Sequence, residues 1–195
     1  ARRIGNEYLF QMMAEQNLET FEKYKFKKIV TQCPHCFTTL KNDYSELGAD
    51  LDVIHHSQFI GQLVSEGKIK PKSWMDEDVT YHDACYLGRH NDEYDAPRDV
   101  IQSVMRDGEL KEMEQSKEKS FCCGAGGGNM WYEIKTGERI NQNRFEQAAE
   151  TGATTVATAC NFCNIMMEDG MKVTGNDEKM KVVDIAELVA QSFTK

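Results

Sequence analysis

The sequence predicts an α/β protein of Rossmann-like repeats, a parallel sheet with helices on both faces, pseudo-duplicated along the chain. Three observations carry this expectation. Short β-branched runs alternate with segments of helical period, cysteine motifs follow directly on the ends of several runs, and one order of elements occurs twice.

Taken in order, residues Glu7 to Tyr24 place apolar side chains at Leu9, Met12, Met13, Phe21 and Tyr24, a helical period in which the methionines read as core packing. Lys28-Ile29-Val30-Thr31 is a short buried strand. Cys33-Pro34-His35-Cys36 comes straight after it, and Pro34 suits the first turn of a helix continuing through Phe37, Leu40 and Tyr44. Leu51-Asp52-Val53-Ile54 is a second strand, and Phe59, Leu63 and Val64 mark the helix that follows. Gly67 to Ser73, with Pro71 inside it, reads as a linker. Val79-Thr80-Tyr81-His82 is then a strand leading to Asp83-Ala84-Cys85, with a helix from about Pro97 to Met105. The charged stretch Arg106 to Lys119 is expected to be a solvated hairpin or loop. Met130 to Ala149 is expected to be helical, Thr154 to Thr158 a strand, and Cys160-Asn161-Phe162-Cys163 the start of a helix running to Met167. Lys181-Val182-Val183 is the last strand, followed by a helix through Ile185, Leu188 and Val189.

The order helix, strand, Cys-x-x-Cys helix, strand, helix thus occurs twice, and Gly5-Asn6 before the first unit matches Gly128-Asn129 before the second. Residues 1–75 are therefore read as the back half of one repeat and residues 76–195 as a complete second one. Ligands of parallel sheets collect at the carboxyl ends of the strands, where these cysteines fall.

Composition narrows the function. Thirty-two acidic against 23 basic residues give a formal net charge of -9, which repels the phosphate backbone and sets nucleic acid aside. No stretch approaches the roughly 18 apolar residues that span a bilayer. Seven cysteines, two of them adjacent, suit a disulfide framework poorly and point to a reducing, cytoplasmic compartment. The chain does not begin with Met, so an upstream segment, including one at the inner face of a membrane, is allowed for.

Thirty-six residues separate Cys85 from Cys122, and 36 separate Cys123 from Cys160, giving the array Cys, Cys-Cys-Gly, Cys-x-x-Cys. Five thiols, Cys85, Cys122, Cys123, Cys160 and Cys163, exceed the four of a tetrahedral zinc site, whereas iron-sulfur clusters are held almost entirely by thiolates. Adjacent cysteines chelate one small ion poorly but can reach two metals of a larger cluster. Gly124-Ala125-Gly126-Gly127-Gly128 lets peptide N–H groups approach sulfur. Zinc on the same thiols, stabilising an interaction module, is the competing reading. Cys33 and Cys36 supply another, a dithiol-disulfide oxidoreductase motif, or else further metal ligands.

With Tyr81-His82-Asp83-Ala84-Cys85-Tyr86-Leu87-Gly88-Arg89, Phe121-Cys122-Cys123-Gly124-Ala125-Gly126-Gly127-Gly128 and Cys160-Asn161-Phe162-Cys163, the chain resembles the cysteine-rich CCG-domain family. That family includes the cysteine-rich component of heterodisulfide reductase, the iron-sulfur subunits of glycolate oxidase and anaerobic glycerol-3-phosphate dehydrogenase, and iron-sulfur proteins linked to electron-transfer flavoprotein. The resemblance implies a [4Fe-4S] cluster, non-cubane in heterodisulfide reductase, on the five matching cysteines. It also implies electron relay, or thiol or disulfide reduction at the cluster. The partners it implies are redox proteins, a flavoprotein or another iron-sulfur protein, with a quinone-linked membrane partner beyond. Ala84 and Asn161 stand where the family commonly has proline, and Cys33 and Cys36 lack upstream partners, so they hold at most part of a second cluster.

The remaining polar residues have plainer readings. His82 and Asp83 either serve the site, His82 as a hydrogen-bond or proton donor to sulfur, or are strand-end residues satisfied by backbone. Arg89 and Arg98 are read as solvent-facing, and His55 and His56 as structural. Trp131 and Phe162 are expected to pack against the site and exclude water.

Overall fold

The computed structural model describes residues 1–132 and 137–193. Its elements in chain order are α1 (Glu7–Glu22), β1 (Ile29–Thr31), α2 (Pro34–Thr38), β2 (Val53–His55), α3 (His56–Ser65), β3 (Val79–His82), α4 (Gly88–Asn91), α5 (Asp95–Gln102), β4 (Leu110–Lys111), α6 (Ile140–Glu150), β5 (Thr155–Thr158), α7 (Asn161–Val173), β6 (Lys181–Asp184) and α8 (Ile185–Gln191). Strands β1 and β2 form a parallel pair, and β4-β3-β5-β6 a parallel four-stranded sheet, so the α/β architecture stands. Every residue of β3 and of β5 is buried, as strands covered on both faces must be.

One core binds the two sheets together: Phe37 and Val53 from the first half pack with Val79, Tyr81, Ile101, Ala157, Ile185 and Leu188 from the second. The Trp74 indole N–H, just past the Gly67 to Ser73 segment, donates to the Leu188 carbonyl at 3.2 Å. Among the described residues no helix is long and apolar enough to cross a membrane.

Four sequence expectations are corrected. Met12 and Met13 are exposed, not core, because α1 turns Phe10 and Ala14 inward instead. The charged stretch from Arg106 is not merely solvated, since Leu110–Lys111 pairs with Val79 and Thr80 as the edge strand β4, and Met113 beyond it is buried. The helix expected from Met130 begins only at Ile140. Gly126–Trp131 is instead a run of 3₁₀ turns, interrupted where Gly127 and Gly128 take positive φ, and residues 133–136 of the expected helix lie outside the described residues. Accordingly Asn6 caps α1 by accepting from the Leu9 N–H, whereas Asn129 sits inside a turn and starts no helix.

Helices α6 and α7 cross closely at Gly170, where an added Cβ would lie 2.6 Å from the Asn141 carbonyl oxygen and 3.0 Å from Phe145 Cβ. Gly170→Ala is expected to push the helices apart and lower stability by about 1–3 kcal/mol, read as a lower urea midpoint.

A buried polar contact also joins the halves. His56 Nε2 at the start of α3 lies 3.1 Å from Asp184 Oδ1 at the end of β6. Burial opposes the Asp184 charge, but His56 and the Ala186 N–H outweigh it and hold the carboxyl below its ordinary value. A carboxylate depressed in the folded state stabilises above its unfolded pKa of about 3.9, and that contribution is lost as pH falls through the folded value. The unmodified chain is therefore expected to show a higher urea midpoint than Asp184→Asn near neutral pH, with the gap closing below about pH 4. Asparagine keeps the helix cap, so the comparison isolates the charge.

Candidate functional site

The thiols are delivered by the loops that leave the strands. β3 ends at His82, three residues before Cys85, and β5 ends at Thr158, two before Cys160, the N-cap of α7. Cys122 and Cys123 come from the loop between β4 and α6. All five line one cavity, closed by Pro34 and His35 of the first half together with Tyr86 and Phe162. Phe162 therefore packs against the site as expected. Trp131 does not: it is 78% exposed, because the glycine turns carry it outward instead of into a helix.

Within the cavity the sulfurs form a connected run. Cys163 Sγ lies 3.4 Å from Cys123 Sγ, Cys122 is flanked by the thiols of Cys123 and Cys85, and Cys160 is flanked by that of Cys163, all of them free thiols. Hydrogen bonds from Cys123 and Cys85, with one from the Gly124 N–H at 3.3 Å, hold Cys122 far below the ordinary thiol value against the opposing effect of burial. The bond to Cys163, with others from His35 and the backbone, draws Cys160 down to about 5. The donors move the other way: Cys123 is pushed up to about 12 by its bond to Cys122, and Cys85 and Cys163 are also pushed up by their sulfur partners and by burial. Protons shared among five sulfurs are the ones a cationic metal displaces. Gly124 can sit here because its φ of +88° suits glycine, and a side chain would come within 3.1 Å of Ile140 Cβ.

A buried charge network fixes the loops that carry Cys85 and Cys122. The Arg98 guanidinium donates to both Asp83 carboxylate oxygens at 2.8 and 3.0 Å, to both Glu112 oxygens at 2.7 and 2.8 Å, and to the Tyr94 carbonyl. Asp83 in turn accepts the Lys117 N–H at 2.8 Å, and its carbonyl accepts the Ser120 hydroxyl at 3.1 Å. Arg98 is therefore not solvent-facing, since it lies on the inner face of α5. Arg89 is exposed but also serves this loop, donating to the Ser120 carbonyl at 2.6 Å.

His82 is buried, and a ring nitrogen lies within 4.8 Å of the Cys123 and Cys163 sulfurs. Its Nδ1 accepts from Arg144 Nε at 3.0 Å, so a side chain and not the backbone satisfies it; burial and the Arg144 charge lower its pKa to about 3. His55 is buried between Ser57 and the Gln32 carbonyl, in keeping with a structural role.

Cys33 and Cys36 stay outside the cavity lining, Cys33 half-buried and Cys36 exposed. Their neighbour His35, read from the sequence only as the centre of the dithiol motif, lies tilted over Tyr86 at 4.1 Å between centroids, stands edge-on to Phe162, and has Nδ1 3.8 Å from Cys33 Sγ. Sequence reasoning passed over Arg144, whose only signal was an arginine beside Asn141, Phe145 and Ala148 on the inner face of α6.

The donor set fits a thiolate-bound metal group: five sulfurs, backbone N–H donors aimed at sulfur, and no carboxylate among the described residues that line the cavity.

Comparison with known proteins agrees with the motifs. The family profile described as cysteine-rich domain, CCG, matches residues 1–41 and 79–168, a span containing all seven cysteines. The probable iron-sulfur-binding oxidoreductase FadF of Bacillus subtilis is 44% identical over 191 residues, covering 98% of this chain and 27% of that protein. The EtfAB:quinone oxidoreductase of Syntrophomonas wolfei is 45% identical over 196 residues, 97% of this chain and 27% of the relative. One polypeptide of the dihydromethanophenazine:CoB–CoM heterodisulfide reductase of Methanosarcina barkeri is 37% identical over 189 residues, 93% of this chain and 44% of that polypeptide. The chain thus spans less than half the length of each. With its cavity built from the very motifs that the profile matches, the chain belongs to the cysteine-rich CCG domain family.

Proposed function

We propose that this chain is an electron-transfer domain that holds an iron-sulfur cluster on Cys85, Cys122, Cys123, Cys160 and Cys163. The observation carrying this reading is that five thiols from three separate stretches of the chain line a single cavity. A cluster bound there would supply one-electron chemistry, and the chain's part is to hold and insulate it. Backbone N–H groups on sulfur and the arginines beneath favour an anionic group, while Phe162 and Tyr86 restrict water. We assign the cluster to the [4Fe-4S] class, and the fifth thiol favours a non-cubane form.

The names of the relatives support a place between redox proteins, a flavoprotein or iron-sulfur protein on one side and a quinone-linked membrane partner on the other. We also read the two halves as related repeats. In each a strand is followed after one residue by a cysteine that N-caps a Cys-x-x-Cys helix, then by a strand whose last residue caps the next helix. On this reading Cys33 and Cys36 are the equivalents of Cys160 and Cys163.

One observation favours a small ion instead: His82, Cys123 and Cys163 place ligand atoms within 4.8 Å of one another, a group that zinc would suit. Anaerobic purification followed by iron, zinc and acid-labile sulfide analysis separates the two. Iron and sulfide in equal amounts, about four each per chain, with a brown colour are the expected result. Stoichiometric zinc without sulfide would replace this reading with the zinc module. Disulfide reduction that survives chelation but vanishes in Cys33→Ser would replace it with the dithiol enzyme.

A further inference from the structure

Arg144 is the largest fully buried side chain among the described residues. Its four hydrogen bonds go to His82 Nδ1 at 3.0 Å, the Gln115 carbonyl at 2.9 Å, the Gln147 amide oxygen at 2.7 Å and the Ser120 hydroxyl at 3.3 Å. None of these acceptors carries a charge. A guanidinium held so deep is costly unless negative charge lies close by. The negative charges that act on Arg144 are Asp83 first and then the thiols of Cys163, Cys123 and Cys122, and a ring nitrogen of His82 lies within 4.8 Å of the Cys123 and Cys163 sulfurs.

The chemistry of the imidazole then fixes a proton. A ring whose Nδ1 accepts from a guanidinium N–H carries its own proton on Nε2, so the ring has one N–H to give and one direction in which to give it. We propose that Arg144 and His82 are a positioning pair that fixes this N–H donor toward the site's sulfurs and favours the more negative, reduced state of the group bound there. The inference rests on the iron-sulfur reading above and deepens it, assigning the two residues control of potential instead of ligation. Hydrogen bonds with an ionised acceptor strengthen as its charge grows, so the pair acts more strongly on the reduced form.

The test is potentiometry of the anaerobically purified protein, with iron and sulfide counted in each sample. His82→Leu and Arg144→Met are each expected to keep the cluster but shift the reduction equilibrium about tenfold toward the oxidised form, about 59 mV for one electron. The double variant is expected to shift little further, because both changes remove one donor. His82→Gln is expected to stay near the unmodified potential, since its amide oxygen can accept from Arg144 while its N–H points at sulfur. An unchanged potential in cluster-loaded His82→Leu would overturn the proposal.

Should that variant not retain its cluster, hyperfine spectroscopy of the reduced unmodified protein decides. A weak coupling to an imidazole nitrogen that is not bonded to iron supports the pair, and a nitrogen bonded to iron, or no imidazole coupling at all, overturns it. Unmodified protein without iron and sulfide would instead remove the cluster reading itself, and the proposal with it.

Discussion

Cys123→Ser is expected to strip the protein of bound iron, lowering iron per chain by more than about tenfold, while Cys33→Ser leaves most of it in place. Cys123 stands at the middle of the sulfur run, next to Cys122 in the chain and 3.4 Å from Cys163, and is only 4% exposed. A hydroxyl there is a harder, poorer ligand for iron and cannot continue the sulfur contact. Cys33, by contrast, lies outside the cavity lining, with its sulfur 3.8 Å from His35 Nδ1. Iron analysis of anaerobically purified variants reads the difference directly. Equal iron in Cys123→Ser and the unmodified chain would remove Cys123 from the ligand set.

The second large effect is on stability. Arg98→Met is expected to cost about 3–5 kcal/mol, because it removes the only direct ion-pair partner of buried Asp83 among the described residues. For a chain of this length that is a fall in Tm of about 10 °C. The damage should not stop at global stability, since Asp83 also holds the Lys117 N–H and the Ser120 hydroxyl in the approach to Cys122. Adding Asp83→Asn to Arg98→Met is expected to recover part of the loss by removing the unpaired charge. Thermal unfolding of the two single variants and the double variant measures the coupling. A surface contact would give about 1 kcal/mol or less, and that result would contradict the buried role assigned to Arg98.

How far the sequence revealed this molecule depends on which interactions decided each element. Strands β3 and β5 were legible because burial on both faces demands short runs of β-branched and apolar residues, and Val79 to His82 and Thr155 to Thr158 read that way. The start of α7 was legible for a similar reason, a cysteine pair opening a helix straight after a strand.

The misses come from long-range chemistry. Strand β4 is hidden in a charged stretch because an edge strand of two residues needs pairing on one side only, and its partner, β3, lies far back in the chain. The delayed start of α6 follows from consecutive glycines whose positive φ no periodicity expresses. Arg98 and Arg144 look like surface residues in a sequence, since arginine is rarely buried. Their burial becomes intelligible only when Asp83 and Glu112, or His82 and the thiols, arrive from other elements. The cysteine site itself was legible in its donors but not in its surroundings, for nothing in the spacing joined His35 of the first half to the second half's cavity.

An anaerobic crystal structure with an anomalous difference map at the iron edge decides whether a cluster sits among the five thiols. Iron peaks are expected inside the cavity bounded by Cys85, Cys122, Cys123, Cys160 and Cys163, each iron within bonding reach of sulfur and His82 turned toward the cluster without touching metal. A single tetrahedral ion on His82, Cys123 and Cys163, or iron found only at Cys33 and Cys36, would contradict this expectation.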